Sequence, residues 1–330
     1  MTSARPDSRS PASPAGFAGS PDRQHVSTGK MQRLSKAIWR ERWMYVFILP
    51  GFFYFVVFRY LPLAGNVIAF QQYSPFLGLS GSPWVGMDNF RRLFTDPDIP
   101  IVLRNTLVIS LAQLVLFFPV PIAVALLLNS ILNDRIKRLM QSILYLPHFI
   151  SWVIIIALWQ QLFGGAGMLN QILGQWNIGP LNIMSNPDFF KPLVVIQVIW
   201  KETGWGTILF LAALTKIDPQ LYEAAVIDGA SGWRRLRDIT LPGIRPMIVL
   251  LLILRLGSIL DTGFEQIFLQ RNAVGFDAGE VLDTFVYYRG IQGGDLSFAT
   301  AVGLVKGVIG AILIFSANRF AKKMGEEGVF

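Results

Sequence analysis

The chain has 330 residues, 52% hydrophobic and 15% charged, with a formal net charge of +8 and a mean hydropathy of +0.47. The apolar residues fall in blocks of about 18 or more, the length at which a helix crosses a hydrocarbon core of about 30 Å, so composition excludes an ordinary soluble domain and places the chain among membrane proteins. The absence of cysteine excludes a disulfide framework, a thiolate metal site and a cysteine nucleophile, and two histidines, His25 and His148, argue against a histidine-rich metal site.

Residues 1–35, rich in Ser, Pro, Gly and Ala, cannot bury enough surface to order themselves and are expected to form a disordered tail. The first apolar block starts near Met44 and is too long for a signal-peptide core, so no cleavable leader is apparent. From Ile38 to Tyr45, aromatic and basic residues alternate as in an interfacial collar. Six helical spans follow, predicted at 44–68, 105–129, 142–162, 192–213, 247–269 and 298–318, within an all-α polytopic domain over 36–325. Arg59 lies near one end of the first span, within snorkelling reach of an interface. Pro119 and Pro121 predict a kink in the second, and His148 beside Pro147 reads as structural.

Lys and Arg crowd the segments before span one, after spans two and four, and after span six, as in Arg135, Lys137 and Arg138 or Arg234, Arg235 and Arg237. The positive-inside rule then puts both termini in the cytoplasm and explains the net charge without nucleic acid. The outer connections, 71–100, 163–190 and 270–297, are long. In the last, Val281, Leu282, Phe285 and Tyr288 recur near helical spacing, which predicts either a short helix lying on the outer surface or a mobile loop.

The cytoplasmic segment 214–246 is sharply punctuated. Asp218 suits an N-cap, Pro219 the first helical position and Gly229 the C-terminal cap, which defines a helix of about ten residues. Ser231 can cap a second helix from Gly232 to about Thr240, with Pro242 as its stop and Pro246 as the start of span five. On the first helix Leu221, Ala224, Ala225 and Gly229 make a stripe that grows shallow, as a close-fitting partner requires.

Glu223-Ala224-Ala225, three residues, Gly229, nine residues, then Ile239-Thr240-Leu241-Pro242 resembles without departure the "EAA" motif of permease subunits of binding-protein-dependent ABC importers. The resemblance extends over about 40–325. Asp228-Gly229-Ala230 and Tyr145-Leu146-Pro147 look like the carbohydrate-uptake branch. Stretches 146–149 and 201–206 look most like permeases for oligosaccharides such as aldouronates or alginate. The resemblance implies the type I importer permease fold, with the loop as a coupling helix seated in a groove of an ATPase. Glu223, Ala224, Ala225, Asp228, Gly229, Ile239, Leu241 and Pro242 would serve that contact. It also implies a second, often non-identical permease, two ATPase subunits that bind the ATP and magnesium, and an extracytoplasmic solute-binding protein. No cofactor is expected in this chain. The competing reading of the segment is a capped loop helix packed on its own bundle.

Charges within the spans are costly on a lipid face, at least about 2.5–3.5 kcal/mol each, and should face the interior. Lys201, Glu202, Arg255, Asp261, Glu265 and Lys306 are read either as the border of a polar path for a hydroxyl-rich solute or as mutual ion pairs that hold spans together. Trp152, Trp159, Trp200 and Trp205 suit stacking on sugar faces or an interfacial belt. An enzyme finds no support, since no phosphate-cradling loop, HExxH pair or Gly-x-Ser-x-Gly elbow occurs. An ion-gradient-driven transporter using Glu202 and Asp261, or an importer of a non-sugar solute, are the alternatives.

Overall fold

A computed structural model describes residues 39–323, with Gly325 and Gly328. The expected tail, 1–35, lies outside the described residues. Regular structure among the described residues is helical, apart from an isolated antiparallel bridge between Gln71 and Trp84. Six helical segments are long and apolar enough to cross a membrane: Arg42–Phe70, Ile99–Asn129, Trp152–Gly174, Pro187–Leu214, Gly232–Gly257 and Leu296–Lys323.

The chain divides at Ala64 and Gly65 into two units. In the first, Arg42–Phe55 is α-helical and Val56–Tyr60 continues it as a π turn. The Arg42 guanidinium sits 4.6 Å from the Trp39 ring and 5.8 Å from that of Trp43, which gives the expected collar a cation–π basis.

In the second unit the fourth span, Pro187–Leu214, is the most buried of the candidate spans. Asn186 starts it, accepting a hydrogen bond from the Asp188 N–H, and Pro187 occupies the first turn, where a missing N–H costs nothing. Its two ends bury different apolar sets. Phe190 and Val194 pack with Ile109, Ile267 and Val281, whereas Phe210, Ala213 and Leu214 pack with Ala125 and Ile244. The second span carries a π turn, Gln113–Phe117, directly before Pro119, so the predicted irregularity falls one turn ahead of the prolines that cause it.

Three boundaries differ from expectation. The predicted third span, 142–162, is broken: Asp134–Tyr145 ends in a single tight turn, Leu146–Phe149, and a new helix starts at Trp152. Pro147 lacks an N–H to continue the ladder, and the Ser151 hydroxyl caps the new helix by accepting from the Ile154 N–H. The predicted fifth span, 247–269, is displaced toward the N-terminus. Pro242 does not stop the chain because a π turn, Leu236–Thr240, has already reset the hydrogen-bond ladder ahead of it, and helix runs on through Leu241–Gly257. It ends at 258–263, where Gly263 takes φ +96°, and Phe264–Val274 begins afresh. The helix expected on the outer surface is real, Leu282–Val286, but it is interior: Leu282 and Phe285 are buried against Ile99, Phe298 and their neighbours, and Val281 against Ile109 and Phe190. Its periodicity marked a core stripe.

Candidate functional site: a polar cleft and a projecting helix

The stretches 145–149 and 201–206, far apart in sequence, make one structure. The tight turn and extended Ile150 leave carbonyls without helical partners, a cost that apolar surroundings would charge in full. Lys201 answers it. Its buried ammonium donates to the carbonyls of His148 at 2.7 Å, Ile150 at 2.8 Å and Pro147 at 3.3 Å, using the three donors of a lysine head. One residue on, Glu202 Oε2 accepts from His148 Nδ1 at 2.7 Å, and Trp205 stacks on the His148 ring at 4.6 Å with an interplanar angle of 6°. His148 thus holds the two cleft residues on either side of it.

Glu202 and Trp205 line a cleft of about 440 Å³ together with Trp152, Gln113, Arg255, Asp261, Thr262 and Gln266. Of the seven charged or aromatic positions proposed for a path, Glu202, Trp205, Arg255 and Asp261 form its wall. Lys201 lies behind the wall, in contact with the 146–150 turn. Lys306 is also behind it, where its ammonium is shared by Asp261 and Asp283 and so joins the sixth span to the 258–263 break and the Leu282–Val286 helix. Glu265, at the start of Phe264–Val274, is exposed and outside the lining. The mutual ion pairs of the one reading are present, Lys306 with Asp261 and Asp283 and Lys201 with Glu202, and two of the paired carboxylates, Glu202 and Asp261, also line the cleft. Of the aromatic set, Trp152 and Trp205 face the cleft, whereas Trp159 and Trp200 meet each other edge to face at 6.4 Å.

The sequence reading passed over the glutamines. Gln113, Gln197, Gln266 and Gln270 are all buried. Gln197 Oε1 accepts from Gln266 Nε2 at 2.8 Å and from Gln270 Nε2 at 2.9 Å, while Gln113 Oε1 accepts from Arg255. Four amides inside apolar helices were the available signal, since buried polar groups must be paired.

At the end of the unit that carries 214–246, the helix Pro219–Ile227 forms with its expected caps. Asp218 Oδ1 accepts from the Gln220 N–H at 2.9 Å, Gly229 adopts φ +72°, and the Ala230 N–H closes the end on the Ala225 carbonyl at 2.8 Å. Glu223, Ala224 and Asp228 are exposed. So are the apolar Leu221, Val226 and Ile227, the last by 87%. An exposed apolar helix face is an unfilled contact. Ala225, Asp228 and Ile239 border a hollow of about 320 Å³ between this helix and the π turn. Leu241 packs on the Ala125 and Phe210 cluster, and Pro242 opens the helix of the fifth span. One strut connects the projecting helix to that span: the Tyr222 hydroxyl lies 3.0 Å from Thr240 Oγ1, whose own hydrogen goes to the Arg235 carbonyl.

A family model described as "Binding-protein-dependent transport system inner membrane component" matches residues 117–326. The polygalacturonan/rhamnogalacturonan transport system permease protein YteP of Bacillus subtilis (strain 168) is 47% identical over 302 residues, 91% of this chain and 94% of that protein. Protein LplB of the same organism is 46% identical over 306 residues, 92% of this chain and 96% of that one. Among solved structures, a bacterial ABC transporter involved in the import of the acidic polysaccharide alginate superposes with a TM-score of 0.81 at 36% identity, over 88% of this chain and 99% of that chain. The bacterial alginate ABC transporter in complex with alginate pentasaccharide-bound periplasmic protein does so with a TM-score of 0.81 at 35% identity, over 90% and 100% of the two chains.

Proposed function

The chain belongs to the binding-protein-dependent transport system inner membrane components, and on that premise we propose that it is the membrane-crossing permease subunit of an ABC importer for a sugar or oligosaccharide. A solute-binding protein delivers the solute at the outer face. Two ATPase subunits, which hold the ATP and magnesium, act at the inner face, and a second, non-identical permease completes the path. The chain sits in a bacterial plasma membrane with both termini cytoplasmic, the orientation that the Lys/Arg-rich connections favour. Its permease domain spans 36–325, with 214–246 as the coupling segment.

The observation that carries this reading is the pairing of an exposed, double-capped helix bearing Glu223-Ala224-Ala225 with a polar cleft bordered by Glu202, Trp205, Arg255 and Asp261. Lys201 and Lys306 brace that border from behind. Binding of ATP to a closed ATPase dimer supplies the differential affinity that moves the permease between its states. The names of the similar transporters, for polygalacturonan and alginate, support a saccharide as the solute.

Vesicles containing the full assembly are expected to accumulate solute only with internal ATP, and to keep doing so when an uncoupler collapses the ion gradient. Accumulation by this polypeptide alone under an electrochemical gradient would establish the ion-driven alternative instead.

Tyr222→Phe removes the strut to Thr240 and leaves the caps at Asp218 and Gly229 in place. A neutral hydrogen bond contributes about 1 kcal/mol, so solute imported per ATP hydrolysed should fall about fivefold with ATPase binding retained. Parallel measurement of uptake and phosphate release checks this, and an unchanged ratio would assign the coupling to other contacts.

A further inference from the structure

A larger hollow, of about 750 Å³, opens beside the projecting helix. Asn129, the last residue of the span Ile99–Asn129, and Gly232, the first of Gly232–Gly257, both stand in its wall, so it lies at the level where those spans leave the bilayer. Leu127 and Leu132 line it and are exposed, Leu132 by 99%, and the exposed Trp233 follows Gly232, a composition that suits a membrane border. Among the residues lining the hollow Arg235 alone carries a charge. Arg234 and Arg237 both pair with Asp238, at 3.7 and 3.1 Å, and Asp228 borders the neighbouring hollow with Arg234 and Arg235, which leaves Arg234, Arg235 and Arg237 one carboxylate short. Arg235 is the one left over: among the described residues no carboxylate oxygen lies within ion-pair distance of it, and its Nε is buried without a hydrogen-bond partner. A desolvated guanidinium N–H calls for an acceptor. The proposed ATPase contact lies on another face of the helix. Tyr222 borders the hollow and is tied to Thr240, while Glu223, Ala224 and Ile227 lie about 100–200° round the helix from it.

We propose that this hollow is a site for an anionic phospholipid of the inner leaflet, with the lipid phosphate on Arg235 and an acyl chain along Leu127 and Leu132. The planar fork of an arginine suits two phosphate oxygens, and the Asn129 amide stands in the same wall as a further donor. Arg135 and Arg138, exposed just beyond Leu132, add to the attraction of an anionic lipid surface. The proposal goes beyond the import reading and takes from it only the orientation, which puts this face at the inner leaflet.

The test uses the ATPase-bound importer in nanodiscs of equal parts phosphatidylglycerol and phosphatidylcholine, released into detergent and analysed by native mass spectrometry, which counts the lipids retained. The wild type should retain phosphatidylglycerol over phosphatidylcholine by about tenfold or more, the span of one or two charge-assisted hydrogen bonds. Arg235→Gln should lose that preference and Arg235→Lys should keep part of it. Leu132→Glu changes a side chain that is 99% exposed, so the fold should tolerate it; it keeps the arginine, brings a carboxylate to the hollow and should lose the preference equally. Equal retention of the two lipids by the wild type, or a preference that survives either Arg235→Gln or Leu132→Glu, would overturn the proposal. So would displacement of the lipid by inorganic phosphate, which would mark a site for a free anion, or retention only after the ATPase is stripped away, which would assign the hollow to the ATPase. ATP-dependent uptake of solute alongside any of those results would leave the import reading standing, whereas uptake without ATP would remove that reading and leave the lipid count to decide the site.

Discussion

Glu223→Arg in the assembled importer is expected to abolish solute uptake and reduce co-purification of the ATPase while leaving insertion of the chain intact. Glu223 is exposed on Pro219–Ile227, whose ends are held by Asp218 and by Gly229 at φ +72°. Arginine is as good a helix former as glutamate, so the helix itself should survive the change. What changes is the sign of the charge presented beside Ala224 and Ala225, where small side chains let a partner's surface approach closely. On the proposed contact the Glu223 carboxylate meets a basic residue of the ATPase groove, and a like charge there costs several kcal/mol, enough to displace a docking helix of nine residues. Wild-type uptake in this variant would remove the coupling assignment.

Gly204→Ala should be the most damaging single methyl in the chain. A Cβ at position 204 would stand 1.9 Å from the Leu144 carbonyl oxygen and 3.0 Å from the Tyr145 Cα, both backbone atoms that cannot rotate aside. The fourth span would have to retreat from the 146–150 turn, and the same retreat would pull Lys201 from its three carbonyls. Overpacking a core costs about 1–3 kcal/mol when side chains can adjust, and here they cannot, so about 3 kcal/mol or more is expected. The midpoint of heat-induced aggregation of the detergent-solubilised complex should drop accordingly. Gly307, whose added Cβ meets nothing within 4 Å, provides the control. Equal midpoints for the two alanine variants would show that the close approach is dispensable.

Six spans, their approximate places and the projecting helix were legible because each is written in local terms: apolar run length, N-cap and C-cap residues, and the distribution of Lys and Arg. The turn at 146–151 and the break at 258–263 were less so. Both lie inside apolar stretches whose hydropathy does not change, and the cue is a single capping serine in one case and a glycine at positive φ in the other. Pro242 misled for the opposite reason, since a proline stops a helix only where the ladder needs its N–H, and the π turn before it had removed that need. At the cleft, the charges could be placed in depth but not in rotation. A span presents every direction to something, and only the long-range partners, such as His148 for Glu202 and Asp283 for Lys306, decide which residue faces the opening.

The kinds of bond around the cleft also say where it parts. On one side Lys201 welds the fourth span to the 146–150 turn; on the other Lys306 welds the sixth span to the break that ends the fifth and to Leu282–Val286. Across the gap run amide links, Gln266 and Gln270 to Gln197, and the single arginine-to-amide link to Gln113. Hydrogen bonds with an ionised donor or acceptor are about twice as strong as neutral ones, which leaves the glutamine-to-glutamine links as the weakest of these polar contacts. A pull across the cleft would thus meet its weakest polar resistance at Gln197, Gln266 and Gln270, and would also have to part the apolar contacts of Phe190 and Val194 with Ile267 and Val281.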